Sequence, residues 1–166
     1  MELKNDNQTI RMPEVLLSGS TRNWTLEHFI TAFEPEKSVG TIGWLKLPKF
    51  QRPFVWTLEQ QIRFIESMWQ GLDIGRFCYT QDVDHPEFDH LLIDGQQRMT
   101  TIFKYIRDEF KVFGLYYSEV HWRDISRFAH TAMPTVVIVN KQHAVLNEEK
   151  LLELYNRMNY GGTNHA

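Results

Sequence analysis

Asp94-Gly95-Gln96-Gln97-Arg98 packs a carboxylate, a glycine, two carboxamides and a guanidinium into five consecutive residues. Leu91-Leu92-Ile93 before it reads as a short apolar strand, and the residues after it carry helical periodicity. A helix start exposes unpaired N–H groups and the positive end of the macrodipole, so it attracts anions. Gly95 lets a phosphate approach the backbone, and Arg98 can present a planar fork to it. Gln96 and Gln97 add neutral donors and acceptors, and Thr100 and Thr101 add hydroxyls of which one packs inward. Asp94 is the only carboxylate of the turn, suited to Mg²⁺ or to orienting water. The catalytic candidates are therefore Asp94, Gln97 and Arg98, with Gly95, Gln96, Arg98 and Thr100 as nucleotide-binding candidates and Asp94 as the metal ligand. The same five residues also describe an ordinary helix, with Asp94 as cap, Gly95 as turn and Arg98 as a solvated side chain. No glycine–lysine pair occurs in the chain, so a Walker loop is absent.

Other residue types invite weaker readings. In Gln51-Arg52-Pro53 the proline holds Arg52 out of the helical region, so its guanidinium projects from a stiff extended segment. Lys46, Lys49 and Arg52 could form a basic rim for nucleotide or DNA phosphates. Trp44, Trp56, Trp69 and Trp122 could stack on bases, although tryptophans of a small domain mostly pack. Asp82, Asp84, His85, Glu87, Asp89 and His90 crowd one loop; their spacing matches no calcium loop and suits a solvated run better than a metal site. Cys78 falls in a predicted strand and reads as a small core residue rather than a nucleophile.

The elements that must hold these residues follow from periodicity. Residues 25–33 read as a short helix capped by Thr25 and stopped by Pro35, and 44–50 as an edge strand or extended arm. Residues 57–72 are the clearest helix: Thr57 and Gln60 form a capping box, Leu58, Ile62, Ile65, Met68, Trp69 and Leu72 a stripe, and Gly71 a stop. Strands are expected at 74–80, 91–93 and 135–139, one or two short ones within 112–122, and helices at 96–110 and 147–158. Asn159-Tyr160-Gly161-Gly162 ends the last helix. The fold class is α+β, a small mixed sheet flanked by helices, with a loosely ordered arm over 1–24 and one domain over 25–166.

The chain of 166 residues, 42% hydrophobic and 23% charged, suits one globular domain. Its net charge of −3, from 18 basic and 21 acidic residues, excludes coating nucleic acid by overall charge, so any DNA contact needs a local patch. One cysteine allows no intramolecular disulfide, no apolar run spans a bilayer and the N-terminus carries no secretory signal, so a cytoplasmic location is expected.

Three separated segments, Leu47-Pro48-Lys49-Phe50-Gln51-Arg52-Pro53-Phe54-Val55-Trp56, Leu92 through Ile102 around the Asp-Gly-Gln-Gln-Arg turn, and Tyr155-Asn156-Arg157-Met158-Asn159-Tyr160-Gly161-Gly162-Thr163, occur in an order and spacing that resembles the N-terminal domain of the GmrSD type IV restriction endonucleases. The likeness covers roughly residues 40–163. It implies a ParB/sulfiredoxin-like fold, and nucleotide binding and hydrolysis at Asp94, Gly95, Gln96, Gln97 and Arg98 in systems that sense or attack modified DNA. It also implies that Gln51 and Arg52 meet the same phosphates, and that Asn159, Gly161 and Gly162 form a loop able to close the pocket. Sulfiredoxin chemistry is disfavoured, because its turn carries a cysteine where Gln96 and Gln97 stand. Family members usually continue into a second region, often an HNH-type nuclease. Here Ala166 follows the third segment directly, and His121 and His130 lie in an irregular stretch without a His-Asn-His pattern. A standalone short version is expected: half of a split system, a regulator, or a phage or plasmid protein interfering with host defence.

Three functions follow as expectations. The first is an Mg²⁺-dependent nucleoside triphosphatase in DNA restriction, modification sensing, phage defence or anti-defence. The second is a non-catalytic nucleotide or modified-DNA binding regulator of a separate nuclease or host defence protein. The third is an Mg²⁺-dependent DNA nickase.

Overall fold

The two central strands of the sheet carry apolar residues on both faces, so helices cover the sheet on either side. The computed structural model describes residues 12–31, 40–141 and 145–160. Its elements in chain order are β1 (Ser18–Thr25), α1 (Leu26–Ile30), β2 (Thr41–Ile42), β3 (Leu45–Lys46), α2 (Leu58–Trp69), β4 (Phe77–Gln81), β5 (Leu92–Asp94), α3 (Gln96–Ile106), α4 (Trp122–Ala129), β6 (Ala132–Val139) and α5 (Glu148–Tyr160). The main sheet has the order β1-β6-β4-β5; β6 and β4 run parallel and the outer pairs antiparallel. On one face Phe77, Tyr79, Met133 and Val137 pack with Leu26, Phe29, Ile65, Met68, Met99, Ile102 and Phe103 of α1, α2 and α3. On the other, Cys78, Ile93 and Ile138 pack with Leu146 and Leu151 under α5. This is an α+β domain with a small mixed sheet. No described helix is long and apolar enough to cross a membrane.

The helix over 57–72 forms as Leu58–Trp69 with the expected capping box: Thr57 Oγ1 accepts from the Gln60 amide and Gln60 Oε1 from the Thr57 amide. Gly71, at φ 74°, ends it, its N–H bonding Met68 O while Leu72 N–H bonds Ser67 O. Its stripe is narrower than expected. Leu58 and Leu72 are exposed, and Gln61 is buried in their place, its Nε2 donating to Trp56 O.

Five expectations are corrected or narrowed. The arm over 1–24 is not loose throughout: Ser18–Thr25 pairs with β6 along its whole length. A polar edge strand with one outer face in water carries no apolar alternation to betray it. The strand expected at 135–139 begins at Ala132, because Pro134 faces only β1 while the β4 ladder starts at Thr135 and needs no N–H from the proline. Residues 112–122 hold an isolated Val112–Leu115 bridge and a 3₁₀ turn at Tyr117–Glu119 instead of strands. The stretch between His121 and His130 is the helix α4, with those histidines as its two caps and His121 Nδ1 accepting from Arg123 N–H. Residues 44–50 contribute only the two-residue β3 before a hydrogen-bonded turn at 48–51, in which Gln51 N–H donates to Pro48 O. The expected Pro35 stop lies outside the described residues.

Candidate functional site

The turn that opens α3 is built from packing first. Gly95 adopts φ 105°, a conformation that L side chains avoid, and a Cβ there would overlap Phe77 Cδ1 and lie 2.9 Å from Phe77 Cε1. Glycine is therefore required by the ring beneath it as well as by the backbone. Gly95 is the N-cap residue, and no side chain caps the helix. Asp94 does not act as the cap. Its Oδ2 accepts from Arg98 Nη2 at 3.2 Å, and its side chain is 38% exposed. The first-turn amides of α3 are thus left to water or to a ligand.

Arg98 is not a solvated helix residue. Its Nη1 donates to Ile74 O and its Nη2 to Arg76 O, each at 2.7 Å, and the guanidinium lies 4.5 Å from the centre of the Phe77 ring. Burial pushes its pKa down, while Asp94 and Asp73 pull it back up. The loop over 73–76, turned by Gly75 N–H donating to Asp73 Oδ1, is pinned to α3 through this one side chain.

The two glutamines differ. Gln97, expected among the catalytic residues, is buried with its amide fully engaged: Oε1 accepts from Val55 N–H (2.9 Å) and Trp56 N–H (3.2 Å), and Nε2 donates to Pro53 O (3.1 Å). It supplies hydrogen bonds that an irregular segment lacks, so its role is to position residues 53–56. Gln96 is 8% exposed, and its Oε1 is buried without a partner. Gln51 reaches from the other side, Nε2 donating to Leu92 O (2.7 Å) and Ile93 O (3.1 Å). Its amide N–H groups thus hold strand β5 rather than projecting into solvent. Thr101 Oγ1 donates to Gln97 O inside the core, whereas Thr100 stays half-buried.

Three segments distant in sequence therefore meet. Gln51 and Gln97 stitch 51–56 to β5 and α3, and Phe50 packs 5.2 Å from Tyr155 of α5, which lies against β5. Asn159 Nδ2 donates to Tyr155 O on that helix. Gly161 and Gly162 lie outside the described residues. Arg52 is exposed, and among the described residues its side chain has no hydrogen bond or ion pair. Sequence reasoning passed over Arg76. Its side chain is exposed and likewise unpaired among the described residues, and its carbonyl receives the same Arg98 nitrogen that bonds Asp94. A lone arginine before a strand gives no signal in sequence.

Most of the remaining candidates are engaged within the fold. Asp82, 2% exposed in its side chain, accepts from the amides of Asp84 and His85, from His85 Nδ1 and from Asn140 Nδ2. Asp89 accepts from Asp82 N–H, so the acidic loop is a turn organised around a buried carboxylate. Among the described residues no three acidic, histidine or cysteine side chains are placed to hold a metal ion. Asp94 Oδ1 has no partner there, which fits an Mg²⁺ ion carried by a polyphosphate, since such an ion takes one or two carboxylates beside phosphate oxygens. Trp44 stacks on Phe29 and meets Tyr79 and His90 edge-on, Trp56 packs on Phe64, and Trp69 on Phe128. Trp122 alone of the four is largely exposed. Lys46 Nζ bonds Pro86 O rather than joining a basic rim. Burial, helped by the charge of Asp94, pushes the Cys78 thiol up to about 12, which keeps it protonated and inert.

A strand, a left-handed glycine and an uncapped helix, bound by two glutamines to a proline-stiffened segment, define a small α+β domain with its candidate site at one turn. A family model described as the GmrSD restriction endonuclease, N-terminal domain, matches residues 36–165, and the chain belongs to that family. Searches of curated proteins and of solved structures return no match.

Proposed function

We propose that the chain binds a nucleoside triphosphate at the start of α3 and hydrolyses it, in a restriction, modification-sensing or phage-defence (or anti-defence) setting with a separate nuclease as partner. The observation that carries this reading is the uncapped α3 N-terminus with Gly95 beneath it and Asp94 beside it, joined by hydrogen bonds to the segments that carry Arg52 and Arg76, both exposed and unpaired among the described residues. Helix-end amides and free guanidiniums would neutralise the polyphosphate. Mg²⁺ bound beside Asp94 would supply charge neutralisation at the phosphates when present. Arg98 and Gln97 keep the turn rigid, and rigidity is what makes such a pocket effective. The restriction setting and the nuclease partner rest on the family to which the chain belongs.

A second reading is a non-catalytic sensor that passes nucleotide occupancy to its partner. The full engagement of Gln97, Gln51 Nε2 and Arg98 favours it, because these motif residues shape a site rather than act in it. A nucleotide panel, assayed for binding by calorimetry and for phosphate release with and without DNA, separates the two. Binding with turnover that is lost in Asp94→Ala supports hydrolysis. Binding without turnover supports the sensor, and no binding by any nucleotide removes both.

A further inference from the structure

We infer that the face formed by the turn over 112–115 and the start of α4 docks a second copy of this chain, with Phe113 of each copy filling a cavity on the other. The turn supplies the first observation. Val112 and Leu115 exchange both backbone hydrogen bonds, at 2.9 and 3.1 Å, around Phe113 and Gly114. Both central residues have positive φ, 50° and 78°, the pattern of a type I′ turn, which asparagine or aspartate followed by glycine fills best. A phenylalanine there is held in a conformation that bulky side chains avoid, and it is 61% exposed. Scattered exposed apolar residues are ordinary on a surface. A ring that is both strained and solvated is not, because neither the turn nor burial within one copy accounts for it.

The second observation is a cavity beside that residue. Its volume is about 240 Å³, and Trp69 of α2, Tyr105 of α3, Leu115 and Val120 line it together with Phe113 itself. About 150 Å³ of apolar space is enough to hold benzene, so one phenyl ring fits with room to spare. The charged residues of the lining are paired with each other. Arg127 donates to Trp69 O at 3.0 Å and to Asp124 Oδ1 at 3.4 Å, and its guanidinium lies over the Trp69 ring. The cavity therefore suits an uncharged, apolar group.

Together these features fit a copy of the chain. A knob of ring size and a hole of ring size on one face make that face self-complementary, as a two-fold interface requires. Charge agrees. Residues 107–127 set Arg107, Lys111, Arg123 and Arg127 against Asp108, Glu109, Glu119 and Asp124, so the face is neutral and does not repel itself. Trp122, 68% exposed, stands in sequence between Val120 and Asp124 of the lining. With Phe113 and Leu115 it leaves on the order of 300 Å² of apolar surface in water, the size at which exposed patches mark contacts. That is a sufficient core for an interface that buries roughly 800 Å² on each partner. Tyr105 lies nine residues along α3 from Gln96, about 14 Å, so docking here leaves the Gly95 turn open.

Sedimentation equilibrium of the full chain, over about 1–300 µM, tests this. Wild type should follow a monomer–dimer equilibrium that stops at two copies. Phe113→Asn removes the ring and suits the turn, so it should fold at least as stably as wild type and weaken association at least about 30-fold. Val120→Phe fills the cavity from its own wall and should weaken association as well. A wild type that stays monomeric at every concentration overturns the inference, whether the face then serves another protein or none. Growth past two copies overturns it too, because a head-to-tail contact does not close. Unchanged dimer affinity in either variant places the contact elsewhere on the molecule and has the same consequence.

Discussion

Arg98 Nη2 lies 3.2 Å from Asp94 Oδ2 while the same guanidinium donates to the carbonyls of Ile74 and Arg76. One side chain thus joins the turn, the helix it opens and the loop that enters β4. The arginine most readily taken for a phosphate ligand is the bolt of the site.

Arg98→Ala should therefore lower stability before it affects chemistry. It leaves two backbone carbonyls unmatched and removes the partner of Asp94, a loss of about 2–4 kcal/mol. Arg98→Lys should recover under half of that, because an ammonium does not reproduce the planar fork. Urea denaturation of the three proteins measures it, and a loss under about 0.5 kcal/mol for Arg98→Ala would contradict the bolting role.

Gly95→Ala should be among the costlier single changes in the chain, about 2–4 kcal/mol, from a strained φ together with overlap on Phe77. The two residues share that overlap, so the double change Gly95→Ala with Phe77→Leu should cost less than the sum of the single changes. Additive costs in the denaturation cycle would show that the ring does not enforce the glycine.

Much of this was legible in the sequence, for local reasons. The Thr57–Gln60 capping box, the strand–glycine–helix order at Asp94 and the Gly71 stop are each short-range devices whose partners lie within a few residues. What stayed hidden depends on residues far apart. That Gln97 serves Val55 and Trp56, that Arg98 serves Ile74 and Arg76, and that Gln61 is buried while Leu58 is exposed all follow from tertiary placement. The helix α4 escaped because its N-cap is His121, a residue type that seldom marks a helix start.

Gln97→Ala should free the segment it clasps. The amides of Val55 and Trp56 lose their acceptor, so their hydrogen exchange should rise sharply while exchange in the core of α2 stays slow. Gln97→Glu keeps the acceptor and loses only the bond to Pro53 O, so it should restore most of the protection. Equal exchange at Val55 and Trp56 in all three proteins would refute the clasp.

The Cys78 thiol, raised from 9.0 to about 12 by burial, gives a pH signature of known sign. Below pH 9.0 both folded and unfolded chains hold the proton and the contribution to stability is complete. Above it the unfolded chain releases the proton first, so stability falls by about 1.4 kcal/mol per pH unit until the folded thiol also ionises. The buried Tyr79 and Tyr105 and the half-buried Tyr117 are shifted up as well and add the same sign at higher pH. Comparison with Cys78→Ala isolates the cysteine: the difference between the two denaturation curves should be flat below pH 9 and shrink above it. Rapid alkylation of the native thiol at pH 8 would contradict its burial.

Arg52 and Arg76 carry the opposite expectation from Arg98. Both guanidiniums are exposed and unpaired among the described residues, so neither holds the fold together. Surface charges of this kind contribute little to stability, and alanine at either position should change it by no more than about 0.5 kcal/mol. Bound phosphate would give each a charge-assisted hydrogen bond of about 1.5–3 kcal/mol, roughly a ten- to hundredfold loss of nucleotide affinity on removal. The affinity of the wild type should fall with added salt, and each variant should show a shallower dependence, since one fewer cation faces the anion. Calorimetric titrations at low and high salt on wild type, Arg52→Ala and Arg76→Ala decide the matter. Affinities equal to wild type in both variants would leave the start of α3 without the cations that a polyphosphate requires, and the nucleotide reading would fall with them.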